Sequence, residues 1–216
     1  RCQQRAGQGC WKPAIKFSGL ARNTSGITHP AADCDVTSST AVGKIASDLR
    51  KSGKKIQALI NVAGIASMNL ALATPQQSAK KQLETNLLGV MNCCRLFAPL
   101  IIRNKGGNIV NFTTIAVKLG LAGESAYVAA KAGIEGYSRV LAREMADFSI
   151  TVNCIAPGPI RTDLLQGVSE RQITALVEQQ IIRKEFTPDA VCDIVELLLD
   201  RRAHCITGQV IHVGGA

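Results

Sequence analysis

Short apolar runs of strand length alternate along the chain with longer segments of helical periodicity. The apolar runs lie at residues 15–21, 27–36, 56–62, 108–113, 150–156 and 209–213, and the second of them is the weakest. This alternation is typical of a parallel sheet covered by helices. No repeat, low-complexity tract or linker interrupts it, so we expect residues 1–216 to form one domain.

Two of the predicted helices carry start signals that combine a hydroxyl side chain with a proline. Thr74 precedes Pro75, and Thr187 precedes Pro188. A threonine can cap the first turn of a helix, and a proline is tolerated at the first helical position. These signals predict one helix from residue 75 to about residue 103 and another from residue 188 to about residue 199. A third helix is expected over residues 125–148.

A tyrosine and a lysine stand one helical turn apart in this third helix, within the segment SAYVAAKAG. Tyr127 and Lys131 therefore share one helix face. A phenol has an ordinary pKa of about 10, and a neighbouring ammonium group stabilises its anion. The spacing predicts a tuned acid–base pair. Taken alone, however, a tyrosine four residues before a lysine is also common in helices by chance.

Other polar and flexible positions stand at the expected strand ends. Thr114 follows the run 108–113, and Asn86 stands inside a helix, where its side chain competes for backbone hydrogen bonds. The segments INVAG at 60–64 and APGPIRT at 156–162 each follow a strand with residues that let the backbone approach a ligand. Singly these are ordinary turns, but together they predict a ligand crevice at the carboxyl ends of the strands.

Composition narrows the classes of function. The chain has 216 residues, of which 46% are hydrophobic and 19% charged, as in a folded soluble protein. Its net charge of +9 comes from 25 basic and 16 acidic residues. The basic residues are scattered among few aromatic ones, which favours an anionic cofactor or substrate over nucleic acid.

Cysteine spacing and hydropathy indicate the compartment. Eight cysteines without a C-x-x-C pair are typical of reduced thiols, and we expect a cytoplasmic protein. No uninterrupted apolar run reaches the length of a membrane span, and the first residues lack the apolar core of a signal peptide. We therefore predict neither a membrane partner nor a metal site.

With these motifs the chain resembles the short-chain dehydrogenase/reductase family, of the 3-oxoacyl-acyl-carrier-protein reductase type, over about residues 15–215. The resemblance implies a Rossmann-like doubly wound parallel sheet with strand order 3-2-1-4-5-6-7. It assigns catalysis to Asn86, Thr114, Tyr127 and Lys131. It assigns cofactor contacts to Asp35, Val36, Asn61, Ala63, Gly64, Tyr127, Lys131, Pro157, Gly158, Ile160 and Thr162.

The resemblance also implies a mechanism, in which a ketone is reduced to a secondary alcohol or the reverse. Tyr127 would protonate the alkoxide as hydride leaves the nicotinamide, and Lys131 would lower the pKa of Tyr127 and bind the nicotinamide ribose. Thr114 would position the carbonyl, and Asn86 would order a water chain. The implied substrate is a 3-oxoacyl thioester. A catalytically silent subunit with the same fold, in a structural or regulatory role, stays open as the alternative.

The first part of the chain departs from the family pattern. The glycine-rich phosphate loop TGxxxGIG is not found, and AGQG and SGLARNTSG have the wrong spacing. We therefore expect the fold to lack its first strand and be N-terminally incomplete. Arg22 stands near the end of the second family strand, where no acidic residue is present. A guanidinium there favours NADP(H), with NAD(H) as the alternative.

The resemblance finally implies partners and a lid. In carrier-protein reductases, basic residues near the mouth of the active site receive the acyl carrier protein. Lys105 occupies one such position, and Phe148 replaces the other basic residue. Residues 164–186 are expected to form a mobile lid over the substrate. A homotetramer or homodimer is expected to form through the helices that carry Asn86 and Tyr127.

Overall fold

The computed structural model describes residues 19–21, 31–165 and 168–216. Its strands are β1 Gly19–Ala21, β2 Ala31–Asp33, β3 Ala58–Asn61, β4 Gly107–Phe112, β5 Ile150–Ala156 and β6 Val210–His212. Its helices are α1 Ser39–Lys51, α2 Gln76–Leu83, α3 Gly89–Ile102, α4 Ala116–Leu119, α5 Ser125–Met145, α6 Glu170–Glu178 and α7 Pro188–Leu199. A π-helical segment, Glu84–Leu88, joins α2 to α3.

The described strands form two parallel sheets. β3, β4, β5 and β6 are neighbours in that order, and β1 pairs with β2. The four-stranded order is that of consecutive strands in half of a doubly wound sheet, as predicted. The expectations about a first strand and a phosphate loop, and the cofactor role of Arg22, concern residues outside the described ranges.

The side chains of β4 and β5 alternate between two apolar layers. Ile109 packs with α3 and α5, whereas Val110 packs with α7 on the other face of the sheet. All seven residues of β5 are buried. The two polar residues of β5, Thr151 and Asn153, are buried as well, and each has a hydrogen-bond partner. Helices thus cover both faces, which confirms the predicted α/β architecture.

The start of the second described helix differs from the prediction. α2 begins at Gln76, with Pro75 in the N-cap position. The Thr74 hydroxyl donates instead to the carbonyls of Asn69 (3.3 Å) and Leu70 (3.0 Å). Thr187 does occupy the N-cap position of α7, but its side chain makes no capping hydrogen bond. Proline marks both helix starts because it needs no N–H partner there, while the two hydroxyls contribute nothing to capping.

The continuous helix Gln76–Ile102 is long enough to cross a membrane, with 27 residues and a window of mean hydropathy 1.4. This corrects the prediction from sequence that no apolar stretch approaches the length of a membrane span. Of that window, 56% is buried inside the protein. Val90, Cys94 and Ile101 pack against the sheet from this helix. Its apolar character is therefore what a core helix requires.

Candidate active site

The carboxyl ends of β4 and β5 lie side by side and are held together by backbone hydrogen bonds. The Thr113 N–H donates to the Ile155 carbonyl at 2.8 Å, and the Ile115 N–H donates to the Pro157 carbonyl at 3.1 Å. Thr114 therefore stands next to residues 157–162, which we call the Pro-Gly turn. This is the edge of the sheet at which the sequence predicts the ligand crevice.

The structure brings Tyr127 and Lys131 of α5 to this edge. Both are buried, with 7% and 4% of their surface exposed. The Lys131 ammonium donates to the Phe112 carbonyl at 2.9 Å and lies 5.8 Å from the centre of the Tyr127 ring. The Thr114 hydroxyl is near enough to Tyr127 to lower the pKa of its hydroxyl. Thr114, Tyr127 and Lys131, three of the four predicted catalytic residues, therefore lie close together.

The proton affinities of this pair follow from burial. Burial raises the pKa of Tyr127, and the Glu124 carboxylate raises it further, while the Thr114 hydroxyl lowers it. Burial lowers the pKa of Lys131 from 10.5 to about 8. The direction for Tyr127 is opposite to the one predicted from sequence. The physical reason is that the apolar surroundings outweigh any help from an ammonium that donates to a backbone carbonyl.

Asn86, the fourth predicted catalytic residue, lies in the π segment and is fully buried. Its side chain bonds the backbone of Ile65, in the loop that follows β3. A Cβ atom added to Gly64 would lie 3.0 Å from Asn86 Oδ1 and 3.5 Å from Lys131 Nζ. Asn86, Gly64 and Lys131 therefore meet at the same strand edge. The predicted role of Asn86 in a water chain stays a prediction.

Asn61 faces the interior of the sheet and not the crevice. Its Nδ2 donates to Asn111 Oδ1 at 2.8 Å and to Cys94 Sγ at 3.3 Å, and Asn111 Nδ2 donates to Ser138 Oγ at 2.8 Å. This buried network fastens β3 and β4 to α3 and α5. Because the Asn61 side chain is engaged in this network, the predicted cofactor contact would come from its backbone.

The predicted adenine-contacting pair follows β2. The Asp35 carboxylate, which is exposed, accepts hydrogen bonds from the Thr37 N–H at 2.9 Å and from the Thr37 hydroxyl at 2.8 Å. Val36 is half-buried and packs against α3, where a Cβ atom on Gly89 would lie 2.7 Å from Val36 Cγ2. The loop therefore has a fixed shape at the carboxyl end of its strand.

Two glycines of the site are packed closely by buried side chains. Ala63 and Gly64 are half-buried in the loop that faces Asn86 and Lys131. In the Pro-Gly turn, a Cβ atom on Gly158 would lie 2.0 Å from Gln180 Oε1. The predicted cofactor contacts of these residues, and those of Pro157, Ile160 and Thr162 in the same turn, stay predictions.

Gln180 was not predicted from sequence. It is 2% exposed, and its Oε1 has no hydrogen-bond partner among the described residues. Its neighbours Gly158 and Gly214 come from distant parts of the chain. No local pattern around residue 180 could therefore have indicated where its side chain lies.

The structure places the two predicted carrier-binding positions away from the active site of their own chain. Lys105 precedes β4, and Phe148 precedes β5, so both lie at the amino ends of these strands. Thr114 follows the carboxyl end of β4. Because a strand rises about 3.3 Å per residue, six residues of β4 separate the two ends by about 20 Å. Lys105 therefore lies far from the Thr114 of its own chain.

Comparisons with known proteins agree with this geometry. Residues 16–215 match the family model described as enoyl-(acyl carrier protein) reductase. A 3-oxoacyl-acyl-carrier-protein reductase of Staphylococcus epidermidis is 35% identical over 191 residues, which are 88% of this chain and 78% of that protein. A protein of Bos taurus with the same description is 38% identical over 203 residues, covering 93% and 83%.

Two further relatives extend the comparison. Carbonyl reductase family member 4 of Xenopus tropicalis is 34% identical over 187 residues, covering 87% of this chain and 77% of that protein. The ligand-free structure of Thermoplasma acidophilum aldohexose dehydrogenase matches with a TM-score of 0.84 at 24% identity, over 93% of this chain and 83% of that one. This structural likeness shows the fold.

Proposed function

Because the chain belongs to the short-chain dehydrogenase/reductase family, we propose that it is a nicotinamide-dependent oxidoreductase that interconverts a ketone and a secondary alcohol. The observation that carries the proposal is the buried contact between Thr114 and Tyr127, with Lys131 one helical turn away. A bound nicotinamide supplies the hydride. Gly64, Lys131 and the Pro-Gly turn would hold it.

Each side chain has one role in this proposal. Tyr127 holds its proton at neutral pH, as an ordinary phenol does, and burial raises its pKa further, so it is the group that protonates the alkoxide. The nearby Thr114 hydroxyl positions the carbonyl oxygen. Lys131, one helical turn from Tyr127, replaces the proton. General acid catalysis of this kind contributes about 10² to 10⁴ in rate.

The substrate we favour is a 3-oxoacyl thioester, because two relatives described above are 3-oxoacyl-acyl-carrier-protein reductases. We infer a cytoplasmic role in fatty acid metabolism, with NADP(H) preferred over NAD(H). The cofactor preference depends on Arg22, outside the described residues. Comparison of turnover with NADPH and NADH decides it.

We infer a homodimer from an apolar groove on the described surface. A groove of about 740 Å³ runs between α3 and α5, lined by Leu88, Met91, Tyr137, Leu141 and Met145, with Glu84, Arg95 and Glu144 among its charged residues. Two copies that pack through this groove would bury these apolar residues. An acidic carrier is the partner that we propose for Lys105.

The chain offers a matched control, since it has only two tyrosines and both lie on α5. We expect Tyr127→Phe to abolish reduction of acetoacetyl thioesters, and Tyr137→Phe to retain most of it. NADPH oxidation measures the rate, and circular dichroism shows that both variants fold. Simple ketones and sugars serve as alternative substrates.

Two outcomes would count against the proposal. Retention of activity in Tyr127→Phe removes the tyrosine from the mechanism. Absence of activity in the wild type toward every substrate favours the second candidate, a catalytically silent subunit. The raised pKa of Tyr127 is the observation that favours this candidate, because it opposes formation of the phenolate that alcohol oxidation requires.

A further inference from the structure

We propose that Arg161, Glu170 and Glu185 form a clasp that fixes α6 to the Pro-Gly turn, at the edge of the active site, and that Arg161 is thereby a positioning residue for substrate. This inference rests on the proposed function for the nature of the substrate. The ion pairs of the clasp are present in the structure whatever the substrate is, so they can be tested without measuring catalysis.

Arg161 lies within the Pro-Gly turn and pairs with two carboxylates at once. Its Nε and Nη2 donate to Glu185 at 2.6 and 2.9 Å, and its Nη1 and Nη2 donate to Glu170 at 2.7 Å each. Both contacts are bidentate, the geometry in which a guanidinium binds carboxylate most specifically. One side chain of the predicted cofactor turn thus reaches two positions of residues 168–186, which we call the cap segment.

The two ends of the cap segment are held by different forces. After α6, the Ile181 and Ile182 N–H groups donate to the carbonyls of Gly215 and Gly214 at 3.4 and 2.8 Å. These backbone bonds do not depend on charge. At the amino end of α6, Glu170 bonds Arg161, and Ile173 and Val177 are buried on the inner face. The clasp is therefore the polar contact that fixes the amino end of this helix.

The charges of Arg161, Glu170 and Glu185 determine how the clasp responds to substitution and to salt. Arg161 lowers the pKa of both Glu170 and Glu185, and the two carboxylates raise the pKa of Arg161. The Glu170 charge raises the pKa of Glu185, so the carboxylates repel each other. Isolated exposed ion pairs stabilise little, and bidentate networks are the exception. Without Arg161 the same two carboxylates push α6 away from residue 185.

Because Arg161 also neighbours Ile160 and Thr162, its loss could disturb the cofactor directly. The test therefore starts from the carboxylates, with Glu170→Gln and Glu185→Gln. Glu178→Gln is the control, because Glu178 is an exposed residue of the same helix. We expect the first two variants to raise the KM for ketone about threefold to tenfold at low salt, with kcat little changed. The difference should shrink in about 0.5 M salt because salt screens the clasp in the wild type.

Limited trypsin digestion tests the clasp without catalysis. Arg171 is an exposed cleavage site in the first turn of α6. Glu185→Gln lies far from it in sequence, so faster cleavage after Arg171 than in Glu178→Gln reports a looser helix. Arg161→Gln should loosen it most, and adding Glu170→Gln should partly restore protection by removing the repulsion. Equal cleavage and equal KM in Glu185→Gln and Glu178→Gln overturn the proposal. A protein without reductase activity but with this cleavage pattern refutes only the proposed function.

Discussion

The side-chain amide of Asn86 is hydrogen-bonded at both ends to the backbone of Ile65. Oδ1 accepts from the Ile65 N–H and Nδ2 donates to the Ile65 carbonyl, each at 2.8 Å. The helix is π-helical over Glu84–Leu88, which includes Asn86. The Asn86 side chain therefore holds the loop after β3 in place, and Gly64 of this loop lies near Lys131.

Removal of the Asn86 side chain should loosen the loop after β3. We expect Asn86→Ala to destabilise the fold by about 1–3 kcal/mol, since two backbone groups lose a buried partner. Asn86→Asp keeps the acceptor for the Ile65 N–H but turns an oxygen toward the Ile65 carbonyl and buries a carboxylate, so its effect should be at least as large. Urea unfolding measures stability, and cofactor titration measures the effect on the crevice. Unchanged stability in Asn86→Ala would show that Ile65 does not depend on Asn86.

The hydroxyl at position 114 should matter more than its methyl group. The Thr114 hydroxyl lowers the pKa of the nearby Tyr127 and accepts a hydrogen bond from the Ala116 N–H at 3.2 Å. We therefore expect Thr114→Ser to retain activity and Thr114→Ala to lower kcat by about 10² or more. Equal kcat values in the two variants would remove Thr114 from the mechanism.

The sequence contained most of the sheet and the centre of the site. β5 could be predicted because a strand buried on both faces is rich in apolar residues. Tyr127 and Lys131 could be placed near each other because helical periodicity alone sets their spacing. What could not be predicted depends on the environment of a side chain. The direction of the Tyr127 pKa follows from burial, which spacing does not show.

The contacts that were missed join positions far apart in the chain. Ile65 and Asn86 meet because the loop after β3 contacts the π-helical segment, and Arg161 meets Glu185 because the chain returns to the Pro-Gly turn. Neither pair can be recognised from a motif in the sequence around its residues. The distance between Lys105 and the Thr114 of its own chain follows from the length of β4, which the resemblance does not show.

The lowered pKa of Lys131 predicts how activity depends on pH. With a pKa of about 8, Lys131 loses its positive charge above that pH, while Tyr127 stays protonated. Ketone reduction should therefore fall above about pH 8, and the limb should approach tenfold per pH unit. Initial rates between pH 6 and 10 at saturating cofactor measure this. A flat profile up to pH 10 would show that the Lys131 charge is not required.

The same shift predicts how stability depends on pH. Folding lowers the Lys131 pKa from 10.5 to about 8, so between these values the unfolded chain holds a proton that the folded chain has released. Stability must then rise with pH in this window. Relative to Lys131→Met, the wild type should gain about 2–3 kcal/mol between pH 7 and 10. Urea unfolding at both pH values checks it, and an equal difference at both would contradict the shift.

The groove between α3 and α5 predicts the effect of surface charge on assembly. Leu88 lines the groove and is 49% exposed, whereas Val140 is 55% exposed on α5 but does not line it. We expect Leu88→Asp to convert a dimer or tetramer into smaller species, because a carboxylate buried in an interface loses its hydration. Val140→Asp should leave the assembly unchanged. Light scattering decides, and a monomeric wild type would contradict the proposed interface.

Gln180 explains why residue 158 must be glycine. A Cβ atom there would lie 2.0 Å from Gln180 Oε1, far inside van der Waals contact, and the side chain is too buried to move freely. We expect Gly158→Ala to lower the unfolding free energy by about 1–3 kcal/mol, the usual cost of overpacking. Gln180→Ala removes the colliding oxygen, so the double variant Gly158→Ala/Gln180→Ala should lose less than the two single losses added together. Thermal unfolding of the four proteins gives this coupling. Strictly additive losses would show that Gly158 is needed for its backbone and not for the space that Gln180 occupies.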